Sequence, residues 1–458
     1  MKDAVETRDV HGLSPSQLKI SMGIIGGMFF VFGFLSWINA ILIPYFKIAC
    51  ELSHFESYFV AFAFYIAYFV MSVPASYLLK VAGFKKGMMV GFFALALGAF
   101  IFVPAALTRT YGIFLVGLFT LGIGLAILQT AANPYITILG PAERAAQRIS
   151  IMGICNKFAG ILAPLLFAAA VLKPTDQTLF DSLASLSDTA RATALDALIR
   201  RVILPYSLVG TFLLLFGLGI RYSPLPELDT DQQDTSANAA EHDKKQHIFH
   251  FPHLILGAVA IFLHVGTQVI AVDTVINYAT SFGIQLLEAK VFPSFTLFIT
   301  ICGYLLGIVC IPRFFSQTTA LKLCTTLGLC FSLMILVAKG MVTFLGHQVD
   351  ASVWFIVLLG LPNSLVWAAI WPLALDGLGR FVKIGSSLLI MGLSGNALIP
   401  LVYGFLADRW GLREAYVLLI PCYLYLIFYA FWGHKIRYWK KEKRKLEPET
   451  KSSASLVG

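Results

Sequence analysis

The sequence predicts an all-α polytopic membrane protein of twelve transmembrane helices, arranged as two six-helix bundles related by a pseudo-two-fold axis along the membrane normal. Three observations predict it: apolar residues gathered in long runs, basic residues kept to the segments between them, and a repeat that relates the two halves. Of 458 residues, 58% are hydrophobic and only 13% are charged, with a mean hydropathy of +0.79. A soluble globular chain carries roughly 25% charged residues. This composition therefore excludes an ordinary water-soluble enzyme, a disordered chain and a fibrous one.

A run of about 20 apolar residues crosses a hydrocarbon core roughly 30 Å thick as an α-helix. Such runs fall at 20–44, 56–79, 87–107, 111–137, 147–171, 202–221, 252–279, 291–312, 319–339, 350–374, 384–406 and 412–434. The first is too long for a signal-peptide core and is read as a retained span. With the N-terminus inside, one face collects Lys80, Lys85, Lys86, Arg144, Arg148, Arg221, Lys244, Lys245, Arg313, Arg380, Lys383 and a basic tail. That is the positive-inside pattern, and it places both termini in the cytoplasm. The net charge of +9 then reports membrane sidedness, and no nucleic-acid partner is expected. The seven cysteines form no C-x-x-C pair, so neither a disulfide framework nor a metal site follows, and no cofactor is expected.

The segments between runs complete the division. Residues 1–19 form a cytoplasmic N-terminal segment, 20–221 the first bundle, 222–251 a polar cytoplasmic linker, 252–434 the second bundle, and 435–458 a basic cytoplasmic tail. Within the first bundle, 172–201 reads as an external loop with a short surface helix. The repeat supports the six-and-six division. A-A-N-P at Ala131–Pro134 returns loosely as A-A-I-W-P at Ala368–Pro372, I-M-G at Ile151–Gly153 returns at Ile390–Gly392, and Pro164 answers to Pro400. The order is the same in both copies, as in transporters built of parallel halves with the substrate site near the midplane between them.

A polar side chain inside a span is costly unless it is paired or lines a water-filled path. The candidates are Asn39 in span one, Gln129, Thr130 and Asn133 in span four, Asn156 and Lys157 in span five, and His264, Gln268, Asp273 and Asn277 in span seven, with Asn363 and Asn396 further on. An amide both donates and accepts, which suits the hydroxyls of a sugar. Trp367 and Trp371 offer flat faces for a pyranose ring. Gln129 and Asn133 stand four apart and share a helix face. Plainer roles stand beside these: helix–helix hydrogen bonds for Asn363 and Asn396, packing for the tryptophans, and kinks at Pro44, Pro74, Pro134, Pro164, Pro372 and Pro400. Lys157 has three readings. It forms an ion pair with Asp273 across the halves, or contacts an anion and turns the substrate toward an acidic sugar or other organic anion, or is incidental. A membrane enzyme or receptor would need a catalytic constellation, and neither H-E-x-x-H nor G-x-S-x-G occurs. A multidrug-type exporter would favour an apolar cavity over one lined by amides.

The strings N-A-I-L-I-P-Y-F (Asn39–Phe46), L-Q-T-A-A-N-P-Y (Leu128–Tyr135), I-W-P-L-A-L-D-G-L-G-R (Ile370–Arg380) and I-M-G-L-S-G-N-A-L-I-P-L-V-Y-G-F-L-A-D (Ile390–Asp408) resemble the fucose, glucose and galactose branch of the major facilitator superfamily. The resemblance runs from about residue 20 to 435. It implies the major facilitator fold, alternating access, and uptake of a monosaccharide, often with protons, in the inner membrane. On these motifs Asn39, Gln129, Asn133, Asn156, Gln268 and Asn277 are expected to line the sugar site, with Trp371 as a stacking face. The turn K-V-A-G-F-K-K-G (Lys80–Gly87) resembles the basic cytoplasmic gate of that superfamily and brings Lys85 and Lys86 there, though ordinary positive-inside charge accounts for them equally. Three positions depart from the pattern. Ala40 stands where relatives usually carry Asp, Gln129 where fucose transporters carry Glu and glucose-like relatives tend to carry Gln, and Gln268 where some relatives carry Glu; an amide does not change charge with pH. The expectation is facilitated diffusion by a monomer, or a proton route through Asp273 or His264, with Lys157 as a gating partner.

Overall fold

A computed structural model of the chain describes residues 15–138, 145–225, 248–311, 314, 316–378 and 381–439. Among them are twelve helices long and apolar enough to cross a membrane: Gln17–Ala49, Phe59–Ala82, Phe84–Thr108, Tyr111–Ala132, Ile151–Val171, Asp188–Tyr222, Pro252–Asp273, Leu286–Cys310, Gln317–Val337, Ala351–Leu375, Ser387–Trp410 and Glu414–Lys435. They are numbered here as spans one to twelve. The turns after odd-numbered spans lie on one face, the odd-loop face, and those after even-numbered spans on the other.

Two elements differ from the sequence expectation. The stretch 172–201 holds two helices, Asp176–Ser182 and Asp188–Ile199, the second forming the start of span six and joined through Arg200–Val202 to Ile203–Tyr222. Asp176 fixes the loop by accepting two hydrogen bonds from the Arg201 guanidinium, at 2.5 and 3.0 Å. Between spans nine and ten, where only a turn was expected, Met341–Phe344 and His347–Asp350 pair as an antiparallel hairpin. Gly346 at φ 80° makes its tight turn possible.

Small residues let the spans approach closely, and the two halves use them alike. Gly122 of span four lies on the Phe64 carbonyl of span two, and Gly360 of span ten lies on the Thr296 carbonyl of span eight; a methyl group at either would overlap that oxygen. These pairs occupy corresponding places in the repeat. So do two interruptions. Span one breaks at Ile38, between the helices Pro15–Trp37 and Asn39–Ala49. Span seven, Pro252–Asp273, is separated by a break at Thr274 from a helical extension, Val275–Thr280. The Thr274 hydroxyl donates back to the Ile270 carbonyl at 2.7 Å, the local competition by which such residues bend helices. The first helix of each half is thus discontinuous at the same level, a feature that places polar groups and backbone ends in a transporter core.

Candidate functional site

The two breaks bring Asn39 and Asp273 into one buried layer between the halves. Asp273 is fully buried and neither carboxyl oxygen has a hydrogen-bond partner; Asn39 is equally buried, with both amide atoms unpartnered. Two tyrosines close the layer, Tyr58 just before span two and Tyr65 within it. The Tyr65 hydroxyl lies beside Asn39 and within electrostatic reach of Asp273, and donates to the Ser36 carbonyl at 3.2 Å. The Tyr58 hydroxyl stands beside Asn277 and also faces Asp273. Such orphaned polar atoms are rare in folded interiors, because each forfeits its hydration without compensation.

A second polar layer lies nearer the even-loop face and is only partly sealed. Gln129 is half-buried and donates to the Tyr68 hydroxyl at 2.7 Å. Asn156, also half-buried, accepts from the Trp37 indole N–H at 3.2 Å and donates to the Phe29 carbonyl at 3.4 Å. The Lys157 ammonium sits 4.0 Å from the centre of the Trp37 ring, and His264, fully buried with both ring nitrogens unpartnered, lies within electrostatic reach of it. Gln268 on span seven and Trp371 on span ten are half-buried. Trp371 stacks on Trp367 with ring centres 5.2 Å apart.

The ion pair expected between Lys157 and Asp273 is not formed among the described residues. Asp273 has no partner at all, and the lysine has taken the face of Trp37 instead, a cation–π contact that offsets part of its desolvation. Lys85 and Lys86 stand apart from both layers, at the turn after span two: Lys85 donates to the Ser223 carbonyl of its own half at 2.8 Å, and Lys86 is exposed. The backbone of Asn133 lies in the helix Tyr111–Ile138, but its side chain falls outside the described residues. Asn363 accepts from Tyr423 at 2.8 Å, the helix–helix bond expected of a lone span asparagine.

Sequence reasoning passed over Trp37, Tyr58, Tyr65 and Tyr68. Their signal was weak, since aromatics in apolar runs usually pack, yet a buried hydroxyl or indole N–H needs a partner. Tyr65 and Tyr68 also stand three apart on one helix face.

The profile of the Major Facilitator Superfamily matches residues 25–393. The chain belongs to the major facilitator superfamily. It is 32% identical over 415 residues to the "Glucose/galactose transporter" of Brucella abortus biovar 1 (strain 9-941), covering 89% of this chain and 92% of that relative. It is 28% identical over 414 residues to the "L-fucose-proton symporter" of Escherichia coli (strain K12), covering 90% and 92%. Among solved structures, the major facilitator transporter FucP in its outward conformation superposes with a TM-score of 0.67 at 26% identity, over 90% of this chain and 98% of that one. In this major facilitator, both polar layers lie between helices drawn from the two bundles.

Proposed function

We propose that this major facilitator carries a neutral monosaccharide, a hexose of the glucose, galactose or fucose type, across the inner membrane by alternating access. The bodies that rock are 20–221 and 252–434. The even-loop face and both termini are cytoplasmic, on the positive-inside pattern, and a monomer suffices because both halves are in one chain. One observation carries the reading: Gln129, Asn156 and Gln268 are only partly buried although each lies within an apolar span. Amides are not left facing lipid, so they line a wetted path, where each can donate to and accept from a sugar hydroxyl. Asn39 and Asn277 of the adjoining buried layer join the site as the bundles part, Asn133 is assigned to it on its sequence motif alone, and Trp371 supplies a face for the ring. The names of the relatives support a sugar as cargo. A neutral sugar is favoured over an acidic one because the Lys157 charge is already engaged by Trp37.

The test is uptake of labelled D-glucose, D-galactose and L-fucose in a transport-deficient host. Gln129→Ala combined with Asn133→Ala abolishes uptake while membrane insertion is unchanged. Wild-type rates in the double variant would overturn the assignment.

A further inference from the structure

Asp273 is a fully buried carboxyl, unpartnered at both oxygens, that the sugar site leaves unused. It sits at the break of span seven, opposite the break of span one, where the neighbour of Asn39 is Ala40. The first bundle thus offers no carboxyl at its own break, and the second bundle does.

We infer that Asp273 is the group through which this transporter takes up and releases its coupling proton, so that coupling is carried by the second bundle. The inference rests on the sugar-transport reading above. The groups around the carboxyl are Tyr58 and Tyr65, next to and within span two, with Asn277 beside the Tyr58 hydroxyl and Asn39 of span one beside the Tyr65 hydroxyl. The titratable groups facing it are the two tyrosine hydroxyls. No cation pairs with it among the described residues; His264 on the same helix faces Lys157, whose charge rests on Trp37. An ionised carboxylate with neither cation nor donor is untenable in such an interior. The shut arrangement therefore accepts Asp273 only with its proton on. Asn39, Tyr58 and Tyr65 belong to the opposite bundle, so this wall withdraws when the bundles part at the odd-loop face, and water then stabilises the anion. In the cycle, one O–H bond forms with a proton taken from water at the open odd-loop face, the bundles close over the neutral acid, and the same bond breaks to water arriving from the even-loop side. Nothing else is consumed.

The experiment uses the full chain in proteoliposomes with D-galactose, D-glucose and L-fucose. Under an inward proton gradient of one pH unit, wild type accumulates its sugar about tenfold, the one-proton limit. Asp273→Asn, which imitates the neutral acid, falls to an accumulation ratio of about one while keeping sugar counterflow, which needs no net proton movement. Asp273→Glu restores accumulation. Tenfold accumulation by Asp273→Asn, or brisk counterflow without any accumulation in wild type, would overturn the inference. Where Asp273→Asn loses counterflow too, sugar affinity of the purified proteins between pH 6 and 9 decides. An affinity that weakens with alkalinity in wild type and is level in Asp273→Asn supports the assignment, and level affinity in both sinks it. Wild type that moves none of the three sugars in counterflow refutes the sugar reading instead.

Discussion

The turns after span eleven and after span two are built alike and engage differently. Each span ends at a glycine with positive φ, Gly411 at 105° and Gly83 at 78°, beside a short string rich in basic residues. After span eleven, in G-F-L-A-D-R-W-G-L-R (Gly404–Arg413), Asp408 reaches across to the other bundle. Its carboxylate accepts from the backbone N–H groups of His54 at 3.0 Å and Phe55 at 2.7 Å. These are free donors at the start of the helix His54–Ser57, which Ser53 and Glu56 close with a capping box. Gly404 beside it lies against Tyr58 and the His54 carbonyl, and Phe405 meets Phe55 edge to face with ring centres 6.2 Å apart. After span two, by contrast, Lys85 bonds within its own half. The odd-loop face is thus latched by a helix-end cap and a close backbone approach between bundles. The basic turn expected to gate the opposite face is engaged at home.

The latch breaks most completely at Gly404. A valine there must displace the Tyr58 ring or the His54 carbonyl, and overpacking of this kind costs about 1–3 kcal/mol. Gly404→Val therefore disfavours the shut odd-loop face roughly tenfold or more, read as a longer distance between spin labels at Ser53 and Arg409, and sugar uptake slows with it. Asp408→Asn acts on the same latch more gently. The amide still accepts one N–H, but the charge assistance is lost. The site is exposed, so the effect is about 1 kcal/mol, a fewfold shift toward the open distance. Lys85→Ala leaves that distance where it was. If Lys85→Ala moved it as far as Asp408→Asn does, the contrast between the two turns would collapse.

How much of this was legible in the sequence follows from what each residue's signal consists of. The spans and the repeat were readable because length and apolar composition are properties of whole segments. The pairing of Gly122 with Phe64 and of Gly360 with Thr296 then repeats at the level of single atoms. The interior amides were readable because a polar group in an apolar run is conspicuous. Lys157 was conspicuous too, but its partner was not: a buried cation suggests a carboxylate, and the indole of Trp37 reads as packing until it lies under the ammonium. Asp408 was unreadable for the opposite reason, since an acid at the end of a span looks like a solvated terminus. Its role depends on backbone donors of a helix hundreds of residues away. The hairpin after span nine carried a signal in its alternating M-V-T-F and H-Q-V-D, but eight strand residues between two long helices are easily absorbed into a turn.

The smallest effect is on pH, and it sharpens the comparison because only the latched turn carries a histidine in its contact. His54 is pushed down to about 4, first by burial and then by the positive charge of Lys47, with Asp408 opposing; Lys47 donates to its ring at 2.9 Å. A parted latch exposes this imidazole and returns it toward the ordinary value near 6.5. The shut form thus binds its proton less readily than the open form. A depressed histidine contributes fully to closure above about pH 6.5, and that contribution is lost as pH falls from 6.5 toward 4. At pH 5.5 the full shift would favour opening about tenfold, and partial exposure reduces this to a fewfold change. The measurement is the distance between labels at Ser53 and Arg409 from pH 7.5 to 5.5 in the Asp273→Asn background, so that the buried carboxyl does not titrate. The open fraction rises with acid there and stays flat once His54→Gln is added. A rise that persists without the imidazole would assign the acid sensitivity to another group and leave the latch to Asp408 and Gly404 alone.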